Sequence, residues 1–238
     1  MKRYNILLII MCMVLTACST VSDSQKTVAA DPNQAGISRL AKSDINEVVE
    51  HHQRAVIADL KTMMIKLYKR NPSGRHDEET RSIEDSVDHF FSQRHNSGYE
   101  QWQDMTANDI VRLALDERYQ ESDRVLPFIF GLRKMLMASY DDHMEFYYLS
   151  SIDGQKLYNS ARNIEISAWM LAERRDQNGD LFLLSDSVQH EQRNLSYQRL
   201  IGEMIATQDN LAVIIAQKSG RLLKTVIVKA ASMVFLPI

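Results

Sequence analysis

From residue 45 onward, apolar side chains return every three or four positions, and that spacing limits what the chain can become. Ile45, Val48, Val49, Val56, Leu60, Met63 and Leu67, with His52 among them, fall on one stripe. A period near 3.6 belongs to an α-helix with one buried face. Glycine and proline number only eight and four in 238 residues, so few breaks interrupt the pattern. Ser43 or Asp44 can cap this first helix, with Glu47 placed to reach back to the cap. It should end near Lys69-Arg70-Asn71-Pro72, where basic residues meet the helix dipole and Pro72 and Gly74 break the chain.

The same reading continues along the chain. A second helix is expected over residues 77–91, with Ile83, Val87, Phe90 and Phe91 as its buried face. A third begins at a Thr106 cap and runs to about residue 119. A fourth covers 124–140, with Pro127 in its first turn, where a missing N–H costs little, and Gly131 permitting a close helix contact. A fifth starts at Asp153, with Leu157, Ala161, Ile164, Ala168 and Leu171 inward. The last long one is expected from Asp186, with Gln189 completing a capping box, through Leu200, Met204, Leu211 and Ile215. Short connections suit antiparallel packing. The fold class is therefore all-α: a multi-helix bundle or irregular helical array over residues 43–238. Residues 222–238 stay open. Leu222, Val226, Ala230 and Met233 fit a helix, while 225–228 and 233–236 fit short strands. The expectation is a tail docked on the core; left uncovered, it would mark a partner or membrane contact.

The N-terminus reads differently. Lys2 and Arg3 precede the short apolar run "ILLIIMCMVL". That run is too short for a comfortable bilayer span and has the form of a secretory signal. It ends in Leu15-Thr16-Ala17-Cys18, which resembles the lipobox of bacterial lipoprotein precursors. The resemblance covers only residues 1–18. It implies cleavage before Cys18, diacylglycerol on its thiol and acylation, for instance by palmitate, of the new amine. Ser19, not aspartate, follows the cysteine. In this class that implies an outer-membrane anchor facing the periplasm rather than retention in the inner membrane. Two acyl chains suffice for stable anchoring.

Residues 18–42 are polar, rich in small residues and without sustained apolar period. They are expected to act as a flexible tether of about 25–30 Å mean span. Cys12 and Cys18 are the only cysteines; loss of one with the leader and lipidation of the other would leave no disulfide, so the body must hold by its core. The formal net charge of −3 gives no footprint for nucleic acid.

Known catalytic patterns are scarce. None of the seven histidines has an acid three residues before it, which removes the di-metal bundle site. Asn194 stands four after His190, so the zinc-protease pattern fails as well. Glu47/His51 and Asp85/His89 are i, i+4 pairs readable as solvated surface pairs. The densest polar cluster is "YDDHMEFYY", where Asp142, His143 and Glu145 could carry acid–base chemistry beside Tyr147 or Tyr148. Asp176, Asn178 and Asp180 occupy positions one, three and five of a calcium-type loop. Leu181 and Ser187 stand where its glycine and glutamate belong, so a turn at Asn178-Gly179 fits better. No cofactor is implied. The expected function is that of a membrane-tethered adaptor, assembly or structural factor with a protein partner. The alternative is an enzyme or metal-binding protein centred on Asp142, His143 and Glu145.

Overall fold

The computed structural model describes residues 32–95, 97–144, 146, 152–186, 194–225 and 234–238, with side chains from residue 45. The chain divides into two compact units, Met1–Leu40 and Ala41–Ile238. Of the first, only the helical backbone from Pro32 is described. Cys18 lies outside the described residues.

The described residues form six α-helices and one 3₁₀ turn: α1 (Pro32–Arg70), α2 (Ile83–Ser92), the turn Glu100–Trp102, α3 (Ala107–Ala114), α4 (Val125–Ser139), α5 (Gly154–Glu173) and α6 (Ser196–Ser219). The all-α expectation holds. Among the described residues, the only strand-like pairing is an isolated antiparallel bridge between Arg175 and Leu181. No helix among them is long and apolar enough to cross a membrane.

Several boundaries differ from the sequence reading, each for a local reason. α1 starts at Pro32, inside the segment expected as coil. Proline suits the first helical position, and Gln34, Ala35, Arg39, Leu40, Ala41 and Lys42 are good helix formers. Ser43 and Asp44 therefore lie within the helix and do not cap it. α2 begins only after Ser82, whose Oγ accepts the Asp85 N–H at 3.1 Å; residues 76–80 form turns instead. α3 does start at the Thr106 cap. It stops at Ala114 because Asp116 accepts the backbone N–H and guanidinium of Arg118 and turns the chain. α5 starts at its Asp153 cap as expected. α6 begins at Ser196, not near Asp186. Asn194 Oδ1 accepts the Ser196 N–H at 3.1 Å, while Asp186 accepts from the Gln198 side chain at 2.6 Å. Gln189 lies outside the described residues.

The α1 stripe is buried at Val49, Val56, Leu60, Met63 and Leu67, and half-buried at Ile45, Val48 and His52. At the centre sits α4, buried at every position except Lys134 and Ala138. It packs on α3 and more lightly on α5, which pairs closely with α6. Two glycines set these approaches. A Cβ on Gly131 would stand 2.7 Å from Val111 Cγ2 and 2.8 Å from the Ala107 carbonyl on α3. One on Gly154 would stand 2.8 Å from the Ala212 carbonyl on α6.

The tail is neither helix nor strand at 221–225 and 234–238. Leu222 is almost fully exposed, whereas Leu223, Phe235 and Ile238 pack against the core. Val226, Ala230 and Met233 lie outside the described residues.

A paired substitution tests the packing. Gly131→Ala should lower unfolding free energy by about 1–3 kcal/mol through overpacking against α3. Gly202→Ala, in α6 with nothing within 4 Å of its added Cβ, should raise it by about 0.5–1 kcal/mol through helix propensity. Urea melts of both variants check the contrast; equal effects would remove the close α3–α4 contact from the account.

Candidate functional site

The sequence places its polar cluster at residues 140–148, and part of it can be located. Asp142 and His143 follow the last turn of α4. Glu145, Tyr147 and Tyr148 lie outside the described residues. Asp141 and Asp142 both adopt left-handed backbone, with φ of 52° and 58°. Such conformations cost of order 1–3 kcal/mol in non-glycine residues, so surrounding contacts must hold them. Asp141 pairs with Lys156 of α5 at 2.7 Å. Asp142 turns to His95, with 2.9 Å between Oδ1 and Nε2. Its sequence neighbour His143 is exposed and contributes its carbonyl to Gln53 Nε2 at 2.8 Å. The fold therefore joins Asp142 to a histidine 47 residues away, not to His143. Burial of the His95 ring holds its pKa below the usual value, against the opposing pull of Asp142. The imidazole is thus kept neutral beside a hollow of about 350 Å³ that Asp142, Gln103 and Lys134 help to line. Lys134 is engaged there, donating to the Gln103 and Met105 carbonyls.

A second cluster was not foreseen. Asp123 is buried just before α4. Its Oδ1 accepts the Leu126 N–H at 3.0 Å, capping the helix. Its Oδ2 accepts Tyr68 Oη at 3.0 Å, the His76 N–H at 3.0 Å and His76 Nδ1 at 2.8 Å. One carboxylate thereby ties together the end of α1, the 71–82 segment and α4. Asp77 continues the cluster, accepting from Arg75 at 2.7 Å, Ser86 at 2.9 Å and Arg81 at 3.2 Å. Burial pushes the Asp77 carboxyl up. Hydrogen bonds from Ser86 and Arg81, with the charges of His76 and Arg75, outweigh it and hold it below its ordinary value. The hydrogen bond to Asp123 raises the His76 pKa, helped by the charges of Asp123 and Asp77 and resisted by burial. Asp123 and Asp77 spend their lone pairs on fixed donors, so the cluster is built as a strut. Its sequence signal was weak, since a buried acid and a surface acid look alike until the fold is known.

The calcium-like loop is a closed turn. Asp176 Oδ1 accepts the N–H groups of Asn178 and Asp180, both at 2.9 Å. Gly179 takes φ of 86°, so the turn expected at Asn178-Gly179 is present. These bonds to backbone N–H groups hold the Asp176 carboxyl below its usual range. Among the described residues, no group of three His, Cys, Asp or Glu is placed to hold a metal ion. Glu47, His51, Asp85 and His89 are exposed.

A hollow of about 670 Å³ lies on the α5–α6 face. Trp169, Ala168 and Ile205 give it an apolar floor, and Arg162, Glu165 and Asp209 edge it. Trp169 is 44% exposed. Arg162 is ion-paired to Asp209 and reaches Glu165 at 3.5 Å. Burial raises the Asp209 pKa despite that partner, and Asp209 Oδ1 and Arg162 Nε have no hydrogen-bond partner. No protein-family model, curated protein or solved structure matches the chain.

The two perturbed histidines predict opposite pH slopes. His76, raised when folded, adds stability that is full below its unfolded pKa near 6.5 and fades as pH rises through its folded value. His95, depressed when folded, adds stability that is present above that unfolded value and fades as pH falls through its folded value. Urea melts between pH 5 and 8.5 should therefore show His76→Gln flattening the alkaline limb and His95→Gln flattening the acid limb. Identical profiles for both variants would contradict these environments.

Proposed function

We propose that this chain is a lipid-anchored helical protein, held by acyl groups on Cys18 at the outer membrane. There it acts as an adaptor, assembly or structural factor facing the periplasm. The address rests on the Leu-Thr-Ala-Cys signal and the short apolar leader. The single observation that carries the binding role is the α5–α6 hollow, where the half-exposed Trp169 sits between charged rims. Large exposed aromatics in concave apolar surfaces are typical anchors of protein contacts. The buried carboxylates of Asp123 and Asp77 suit the same reading, since they act as caps and struts.

Fractionation tests the anchor. Cys18→Ser should move the protein from the membrane to the soluble fraction, with an unchanged helical circular dichroism spectrum. Retention in the membrane without lipid would overturn the anchoring. Crosslinking in intact cells, read by mass spectrometry, tests the adaptor role. Trp169→Ala should remove the partner adducts formed by the lipidated wild type, and adducts indifferent to that change would displace the partner surface from this hollow.

A further inference from the structure

The sector of α5 that carries Gln155, Asn159 and Asn163 is closed by the chain itself. Asn163 donates to the Leu236 carbonyl at 2.9 Å and accepts the Leu236 N–H at 2.7 Å. Gln155 holds Lys224 in the same two-way manner. The sector that carries Arg162, Glu165 and Trp169 instead forms one wall of the 670 Å³ hollow, with Asp209 of α6 in the other.

That hollow is uneven in charge. Among the described residues lining it, the charged side chains are one guanidinium, Arg162, and two carboxylates, Glu165 and Asp209. Arg162 gives its short contact to Asp209 and stands 3.5 Å from Glu165. Even with that partner, burial holds the Asp209 pKa above its ordinary value. The Glu165 side chain is 35% exposed. The lining therefore carries one negative charge in excess, with a carboxylate open to what enters.

Trp169 follows Glu165 by four residues, so the two are neighbours one turn apart on the helix surface. Indole is the strongest ring partner for a cation, and the adjacent carboxylate supplies the counter-charge. The same side of α5 already uses this combination. The Arg162 guanidinium lies 5.1 Å from the Tyr158 ring centre while it pairs with Asp209. Glu165 and Trp169 offer a second seat of that kind, facing outward. Gly202 leaves room beside it, since nothing stands within 4 Å of a Cβ built there.

We propose that the hollow seats a lysine or arginine side chain of a partner protein, its cationic head over Trp169 and against Glu165, within the field of Asp209. The methylene stem of such a residue lies on Ala168 and Ile205, since long basic side chains bury their stems on apolar surface. The seat rests on the adaptor reading for its purpose and adds the chemistry of the partner: a basic residue flanked by apolar ones. Acidic segments are refused by like charge.

The test uses the full chain in detergent and a fluorescently labelled Leu-Arg-Leu peptide, blocked at both ends and followed by anisotropy. A Leu-citrulline-Leu peptide has nearly the same shape without the charge. It should bind about tenfold more weakly, the scale of a partly desolvated cation–π contact. Glu165→Gln and Trp169→Leu should each weaken the arginine peptide by about fivefold or more; the second change keeps the site apolar and removes only the ring. In NMR spectra the arginine peptide should shift the indole N–H of Trp169 and leave that of the buried Trp102 in place. Equal affinity for the two peptides overturns the proposal on the wild type alone, with no variant required to fold. So does failure of the arginine peptide to bind, or binding indifferent to both substitutions. Agmatine, a free guanidinium amine, competing as well as the peptide would give the hollow to a small organic cation and overturn the protein occupant. Cellular crosslinks that survive Trp169→Ala, with arginine-peptide binding intact in the wild type, would strike the adaptor reading and leave the cation seat. Crosslinks lost with Trp169→Ala but indifferent to Glu165→Gln would strike the cation seat and leave the partner surface.

Discussion

A helix with no face toward water must satisfy every polar group from within, and α4 imposes that condition on its neighbours. Buried polar groups left without partners cost about 1–3 kcal/mol each. Arg133 is buried in α4, with no acidic partner among the described residues. Its guanidinium donates to the carbonyls of Phe90, Phe91 and Gln93 and lies over both phenyl rings. Those carbonyls end α2, where orphan acceptors and the negative helix terminus favour a cation. Burial draws the Arg133 pKa down to about 10, still well charged at neutral pH. At the other end of α4, Arg124 does the same for α3, donating to the carbonyls of Ala114, Asp116 and Tyr119. Two cations on one central element thus finish two other helices.

The same condition explains the polar knot between α4, α5 and α6. Gln208 is fully buried on α6. Its Oε1 accepts Tyr140 Oη at 2.6 Å, and its Nε2 donates to Ser139 and Ser160. The two hydroxyls in turn donate to the Leu136 and Leu157 carbonyls. Fully satisfied networks of this kind fix one arrangement among otherwise interchangeable apolar contacts. With no cysteine among the described residues, this knot and the Asp123 strut take the place of covalent staples in setting register.

How much was legible follows from the range of each interaction. Caps within three residues were readable, so Thr106 and Asp153 stand where expected. So was periodicity on long helices: Leu157, Ala161, Ile164 and Leu171 are all buried. The start of α6 differs from the expectation at Asp186: Asn194 meets the first helical N–H, whereas Asp186 accepts from the Gln198 side chain. The missed groups are those whose partners are distant in sequence. His95 meets Asp142, and Tyr68 meets Asp123, across 47 and 55 residues. Gln155, Asn159 and Asn163 repeat at four-residue spacing along α5, and amides buried at that spacing require partners of their own.

α5 shows how one helix serves three surfaces at once. At 3.6 residues per turn, Leu157, Ala161, Ile164 and Leu171 share the inward sector. Gln155, Asn159 and Asn163 share a second, and Tyr158, Arg162, Glu165 and Trp169 a third. The first supplies the burial that holds the helix in place. That leaves the second free to present amides at fixed spacing and the third free to keep a large aromatic half in water. A helix anchored by only a few tail contacts could do neither, because side chains on a moving backbone cannot hold two-way hydrogen bonds to one residue. The close seat of Gly154 against Ala212 and the buried Ser160–Gln208 bond are therefore preconditions for both outward surfaces. A mutation that loosens the α5–α6 contact should weaken tail capture and hollow alike, whereas a change in either outward sector should leave the other intact.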